Sequence, residues 1–250
     1  MKSFIGWIGG KRALRKDILT AFPSEYSRYI EVFGGAGWVL FGKQPTGQME
    51  VFNDADGSLI NIYRCIKYHP DALAAELSGL PHSREMFLDC QNQFEQRGYT
   101  DIQRAARSLY LIKMGFGSDR RTFATAPKIA SNISSSFSDV QDRLRKVIIE
   151  HLDFEQLIHI YDRPDALFYC DPPYMGTEHY YRAGFSKQDH ERLACVLHGI
   201  KGKFLLSYND CDLARDLYAD CIIQPLTRPN LLSGANRNEF KEILIRNYES

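Results

Sequence analysis

Asp171-Pro172-Pro173-Tyr174 is the stretch of this chain with the clearest chemical content. It sets a carboxylate, a stiff turn and an aromatic ring side by side. The carboxylate accepts hydrogen bonds, and each proline keeps a carbonyl acceptor while lacking an N–H. The tyrosine ring can stack on a flat ligand. The preceding run Ala166-Leu167-Phe168-Tyr169-Cys170 predicts a buried strand, which the prolines must end. An open α/β sheet binds its ligands outside the carboxyl ends of its strands, so a site belongs here. Read alone, the tetrapeptide is also compatible with an ordinary strand-ending turn carrying a surface aspartate. Its companions elsewhere decide between the two.

The first companion is Tyr29-Ile30-Glu31-Val32, which predicts a strand, followed by Phe33-Gly34-Gly35-Ala36-Gly37 and a helix opening at Trp38. Strand, glycine turn and helix let a ligand lie against main-chain groups. The GxGxxG spacing is not met, so the context favours a nucleoside-containing cofactor without a phosphate cradle. About 20 residues on, Val51-Phe52-Asn53-Asp54-Ala55-Asp56 predicts a second strand ending in acids. Asp54 is the candidate for ribose hydroxyls, and Asp56 the candidate cap of the helix through Leu59 and Tyr63. At the start, Gly6-Trp7-Ile8-Gly9-Gly10-Lys11-Arg12 combines close-approach glycines, a ring and charge before a helix expected to run to about Phe22. It lacks the Walker A spacing and reads equally as a flexible turn. Val147 to His151 predicts a strand, and Asp153-Phe154 after it either meets an adenine or caps the next helix.

The elements that must position these residues divide into two kinds. From residue 69 to 138 the βαβ alternation stops, and helical patterns run from His69 to about Arg97 and from Ile102 to Met114 before a loop-rich stretch from Gly115 to Ser136. From Arg104 to Lys128 there are six basic residues (Arg104, Arg107, Lys113, Arg120, Arg121, Lys128) against one acid, Asp119, a local +5. That footprint suits a polyanion, or a solvated helix face and loop. Phe116 and Phe123 interleave it, and Arg120-Arg121 is expected at a loop or hairpin tip. Beyond residue 139 alternation resumes. The loop Met175 to Phe185, with Tyr180 and Tyr181, is of a kind that covers a pocket or holds an extruded base. Lys203 to Tyr208 predicts a strand, as do Cys221 to Ile223 and Glu242 to Asn247. Between the last two, a polar loop with Asn236 and Arg237 is suited to a substrate backbone.

Composition bounds the rest. A chain of 250 residues with 44% apolar and 25% charged residues builds one large domain, or a domain with an insert. Net charge is +0, so a polyanion partner has to be met by a local patch. Cys65, Cys90, Cys170, Cys195, Cys211 and Cys221 form no CxxC pair and are expected to be reduced, mostly core thiols. No signal-like start or membrane span is expected.

Gly6 to Lys11, Phe33 to Gly37, Asp54, Asp153-Phe154 and Asp171 to Tyr174, in that order, strongly resemble the Dam-like family of DNA adenine-N6 methyltransferases, alpha group, from residue 6 to about 247. The resemblance implies a Rossmann-like α/β S-adenosylmethionine-dependent methyltransferase sheet from 1–68 and 139–250, with a mainly helical target-recognition insert at 69–138. It implies that Trp7, Gly10, Lys11, Phe33, Gly34, Gly35, Ala36, Gly37, Asp54, Asp153, Phe154 and Asp171 serve S-adenosyl-L-methionine, and that Asp171, Pro172 and Tyr174 are catalytic. Tyr181 and Phe185 resemble residues of the following motif. Tyr110 to Gly117 aligns with a recognition helix and turn, but Gly117-Ser118 replaces the family's asparagine-glycine. GATC is the target the resemblance implies. The DNA-facing candidates are Lys113, Arg120, Arg121, Lys128, Tyr181, Asn236 and Arg237.

The implied chemistry is consistent with the residues. An exocyclic adenine amine is a poor nucleophile because its lone pair is delocalised. Asp171 and the Pro172 carbonyl can accept its two N–H groups, favour a tetrahedral nitrogen and stabilise the charge that develops. Tyr174 would stack on a base flipped out of double-stranded DNA. No metal is required. The competing readings are methylation of cytosine N4 or an RNA adenine, and a DNA-binding protein with a vestigial methyltransferase fold. A monomer in the cytoplasm of a bacterial or phage-infected cell is expected.

Overall fold

Four short runs of apolar and aromatic residues form a parallel core, because each is too apolar to leave either face in water. The computed structural model describes residues 1–93, 98–126, 130–175, 184–228 and 240–249. In chain order its elements are α1 (Arg15–Thr20), β1 (Arg28–Glu31), α2 (Trp38–Gly42), β2 (Met49–Asn53), α3 (Gly57–Tyr68), α4 (Pro70–Ser78), α5 (Arg84–Asn92), α6 (Asp101–Met114), α7 (Phe137–Leu144), β3 (Val147–Glu150), α8 (Phe154–Tyr161), β4 (Ala166–Cys170), α9 (Lys187–His198), β5 (Lys203–Asn209), α10 (Asp212–Leu217), β6 (Ile222–Arg228) and β7 (Phe240–Arg246). Two compact units emerge. One holds Met1–Arg12, Gly35–Gln44 and Asp56–His151; the other holds Ala13–Gly34, Pro45–Ala55 and Leu152–Ser250.

In the second of these units the strand order is β2-β1-β4-β5-β7-β6. β1 pairs in parallel with β2 (Ile30 opposite Val51) and with β4 (Ile30 opposite Phe168). β4 pairs in parallel with β5, and β7 runs antiparallel between β5 and β6. The chain leaves β1 for β2 on one side and returns to β4 on the other. The carboxyl ends of β1 and β4 therefore flank a topological switch point, the place where such sheets bind ligands. Ile30, Val51, Phe168, Phe204 and Leu206 are fully buried beneath it.

The first-named unit is mainly helical. Asp56 caps α3, accepting from the backbone N–H of Ser58 (3.0 Å) and Leu59 (3.3 Å). Thr100 and Gln103 close a capping box on α6. That helix buries Ala105, Ala106, Leu109, Tyr110 and Ile112, the positions its period predicts. In the other unit Ser186 and Asp189 close a capping box on α9.

Two expectations are corrected, and one helix has no counterpart in the sequence reading. The helix expected from Lys11 begins only at Arg15. Lys11 is instead buried and donates to the Gly9 carbonyl at 3.0 Å. α10 went unread, being six residues long, too short to show a period. Of the six cysteines, all reduced, Cys65, Cys90 and Cys170 are buried, but Cys195 is exposed and Cys211 and Cys221 are half-exposed. Among the described residues no helix is long and apolar enough to cross a membrane.

Candidate active site

The end of β4 carries Asp171 to Tyr174, as its composition predicts. Ser207 of β5 donates to Asp171 Oδ1 at 3.0 Å, and the Tyr169 hydroxyl lies 3.1 Å from Ser207 Oγ. A carboxylate only accepts, so the serine proton points at Asp171 and Tyr169 must donate to the serine. Ser207 and Tyr169 are buried. Burial, then the nearby Asp171 charge, holds the Tyr169 phenol well above its usual range, so it stays a donor. This relay fixes the rotation of the Asp171 carboxylate. Replacing Ser207 by alanine removes a hydrogen bond to a charged group, worth about 2 kcal/mol. For the methyl transfer that the resemblance implies, the expected outcome is a single-turnover rate lowered by about tenfold or more at unchanged cofactor affinity, with Ser207→Thr restoring much of it. A full rate in the alanine variant would show that the anchor is unused.

Tyr174 is half-buried. Its hydroxyl donates to Glu242 of β7 at 3.2 Å, and its ring stacks on Tyr208 at 5.6 Å and 29°. Burial, reinforced by the charges of Asp171 and Glu242, keeps its phenol protonated. Glu242, itself buried, is not singled out by sequence reasoning; the available signal is an acid within the apolar alternation of β7.

At the end of β1, Gly34 donates to the Asn53 carbonyl at 2.7 Å. A Cβ there would sit 2.3 Å from the Phe52 ring, so no side chain fits. Buried Asn53 donates to the carbonyls of Val32 (3.0 Å) and Leu152 (3.1 Å) and accepts from the Leu152 N–H (2.8 Å). One amide thus ties together the ends of β1 and β2 and the start of the Asp153 segment. Asp54 follows it, half-buried. Phe33, Phe154 and Phe185 pack on one another with centroids 5.6 to 5.9 Å apart, so the structure brings together three aromatics chosen separately from the sequence.

Asp153 caps α8. It accepts from the Glu155 N–H at 3.0 Å, and both its oxygens receive Arg192 at 2.8 and 2.9 Å. Arg192 also lies 4.0 Å from the Phe154 ring centroid. Hydrogen bonding from Arg192 is the main reason the Asp153 carboxyl titrates below the ordinary range. Its folded pKa is depressed, so the stabilisation is present above the unfolded value of about 4 and is lost as pH falls through the folded one. A melting temperature that holds from pH 7 to 5 and declines below about 4 is expected, with a shallower decline in Arg192→Ala. Equal declines in both proteins would remove this pair from the acid response.

In the helical unit, Trp7, Gly10, Lys11 and Gly35 to Gly37 form a second set. Gly35 adopts φ 50°, and a Cβ there would lie 3.0 Å from the Trp7 ring. The turn is held by Tyr63, which donates to the Gly35 carbonyl at 3.0 Å, and by Ser3, which donates to that of Ala36 at 2.5 Å. Arg120 lies 4.6 Å from the Trp7 centroid and forms an ion pair with Asp56 at 2.8 Å.

The basic footprint is smaller than its linear count. Arg104 pairs with Asp101, Arg107 with Asp89 at 2.8 Å, and Arg120 with Asp56; Lys113 donates to the Phe4 carbonyl. Those acids lie outside the counted window and are supplied by the fold. Arg120, expected at a loop or hairpin tip, lies in the loop between the antiparallel-bridged Gly115 and Phe123, with a side chain only 12% exposed. Its φ of 60° and that of 62° at Ser118 turn the chain back on itself. Arg121 beside it is exposed, and Phe116 is 71% exposed. Lys128, Tyr181, Asn236 and Arg237 lie outside the described residues.

A mixed sheet with a parallel core, a Gly-rich turn after β1, acids after β2 and a carboxylate–proline turn after β4 defines a Rossmann-like α/β methyltransferase with helical insertions. Residues 7–231 match the family described as D12 class N6 adenine-specific DNA methyltransferase, and the chain belongs to that family. It is an S-adenosylmethionine-dependent, adenine-specific DNA methyltransferase. Its relatives include the type II methyltransferase M1.LlaDCHI of Lactococcus lactis subsp. cremoris, 30% identical over 99% of this chain and 96% of the relative. A DNA adenine methylase of Vibrio cholerae is 26% identical over 97% and 95%. The type II methyltransferase M.MjaIII of Methanocaldococcus jannaschii is 26% identical over 99% of each.

Proposed function

We propose that this enzyme methylates N6 of an adenine flipped out of double-stranded DNA, at GATC. The observation that carries the catalytic part is the anchored Asp171: Ser207 fixes one carboxylate oxygen at 3.0 Å at the sheet's switch point. In this reading Asp171 and the Pro172 carbonyl accept the two amino hydrogens, and Tyr174 stacks on the base. S-adenosylmethionine, when bound, would supply the methyl group to the nitrogen lone pair that these acceptors free from the ring; as the N–C bond formed, the S–C electron pair would pass to sulfur and the surplus amine proton to solvent. Asp171 stabilises the charge on nitrogen as it develops. Neither metal nor covalent enzyme intermediate enters.

For the cofactor, the sites proposed are Trp7, Gly10 and Lys11, the turn Phe33-Gly34-Gly35-Ala36-Gly37, Asp54 for the ribose, Asp153-Phe154 for the adenosine base, and Asp171. Because Arg192 occupies the Asp153 carboxylate, Phe154 is the member of that pair suited to the base. Segment 69–138 is proposed as the target-recognition insert. Lys113, Arg120, Arg121, Lys128, Tyr181, Asn236 and Arg237 are proposed to meet DNA, with Arg121 the residue most suited to a phosphate because it is exposed. Its replacement by alanine is expected to weaken duplex binding and reduce the salt slope by about 1. An unchanged slope would remove it from the interface. A monomer acting in the cytoplasm of a bacterial or phage-infected cell, in a maintenance or restriction-modification role, completes the proposal.

Methylation-sensitive sequencing of DNA from cells expressing the protein tests the target. Modified adenine confined to GATC is the expected result. Modification confined to another sequence would overturn the site while leaving the chemistry intact.

A further inference from the structure

We infer that His198, Asp220 and Cys221 form a binding site for a borderline-soft divalent cation of the zinc and cobalt class, remote from the methyl-transfer chemistry. His198 ends α9, and Asp220 and Cys221 immediately precede β6. β5 and β6 are both antiparallel to β7, and β5 is parallel to β4. The starts of β5 and β6 therefore share the sheet edge at which β4 begins. Asp171 stands at the opposite edge. The site reaches across 22 residues of sequence and would tie the end of α9 to the start of β6.

The distances fit a single ion. His198 Nε2 lies 2.8 Å from Asp220 Oδ1, Cys221 Sγ lies 3.7 Å from the same oxygen, and the sulfur and nitrogen are 4.0 Å apart. A tetrahedral zinc with bonds of about 2.0 Å to N and O and about 2.3 Å to S holds its ligand atoms about 3.3 to 3.6 Å apart. Each pair therefore needs to move by only about half an ångström. Among the described residues this is the cluster of three such donors whose ligand atoms all lie within 4.8 Å of one another.

The histidine is already oriented for the task. Its Nδ1 lies 2.6 Å from the Ala194 carbonyl, one helical turn back. That oxygen can only accept, so Nδ1 carries a proton and Nε2 faces the carboxylate and thiol. A ring held through its other nitrogen is the usual outer support of a metal-bound histidine. The imidazole also stacks on Tyr218 at 5.6 Å and 16°, which pins its plane.

The donor set selects the metal. One imidazole, one thiolate and one carboxylate suit zinc or cobalt and not magnesium or calcium, which take oxygen ligands. Three protein ligands leave the fourth position to water. His198 and Asp220 are exposed and Cys221 is half-exposed, so a hydrated ion reaches them without unfolding. As the sulfur–metal bond forms, the thiol proton passes to solvent. The bland alternative is a surface histidine–aspartate pair with a cysteine beside it.

Cobalt(II) titration of the full chain, reduced with a thiol-free reductant, separates the two. A thiolate-to-cobalt charge-transfer band that saturates at a single ion per chain and is abolished by zinc is expected. Cys221→Ser should remove the band. His198→Ala should weaken binding by tenfold or more, while Cys195→Ser and Cys211→Ser retain the band. Zinc should raise the melting temperature of the wild type and leave that of His198→Ala unmoved. Absence of the band, or a band that survives Cys221→Ser, overturns the site. So does an equal zinc response in the wild type and His198→Ala.

Discussion

Asp171→Ala is expected to lower methyl transfer by roughly a thousandfold, the scale of losing one preorganised transition-state contact. Duplex binding should be nearly unchanged. The reason lies in what the carboxylate contacts. On the protein side it is held by Ser207 at 3.0 Å, and Ser207 in turn by Tyr169 at 3.1 Å. Both supporting groups are buried on strands β4 and β5. The orientation is therefore set before substrate arrives, and the contact strengthens as charge develops on the adenine nitrogen. A rapid-mixing single-turnover measurement with cofactor and DNA both saturating isolates that step from binding and product release. A rate within a few-fold of wild type would remove Asp171 from the chemistry. Loss of cofactor affinity with an unchanged rate would make it a binding group.

Asp56→Ala is expected to destabilise the protein by about 3 kcal/mol, more than the loss of a helix cap alone, which costs about 1. Asp56 caps α3 and forms an ion pair with Arg120 at 2.8 Å, with both side chains close to nine-tenths buried. Removing it leaves the largely desolvated Arg120 guanidinium without that carboxylate, over Trp7 at 4.6 Å from the ring centroid. The left-handed backbone at Arg120, φ 60°, then loses the contact that offsets its strain. Denaturant unfolding of Asp56→Ala, Arg120→Ala and the double variant measures the coupling. A double variant no worse than Asp56→Ala is expected. Strict additivity would mean that the pair contributes nothing jointly.

The parallel strands were legible because a strand buried on both faces is a continuous apolar run, as in Ala166 to Cys170 and Lys203 to Tyr208. The motif order and its turns were legible for a related reason: glycine and proline act on their own backbone. What stayed hidden was carried by contacts between residues far apart in sequence. Asn53 joins Val32 to Leu152, and Glu242 receives Tyr174 from 68 residues away. Neither partner leaves a local pattern. The positive window from Arg104 to Lys128 read too strongly for the same reason, since Asp56, Asp89 and Asp101 meet its arginines only in the fold. Asp153 offered two roles in the sequence, and its hydrogen bond from Arg192, which lies 39 residues away, left no local sign.

The identity of the methylated atom tests the catalytic reading most directly. The protein, incubated with methyl-labelled S-adenosylmethionine and duplex DNA that is then digested to nucleosides, should place the label in N6-methyldeoxyadenosine. Label in N4-methyldeoxycytidine, or no label while the duplex is still bound, would contradict it.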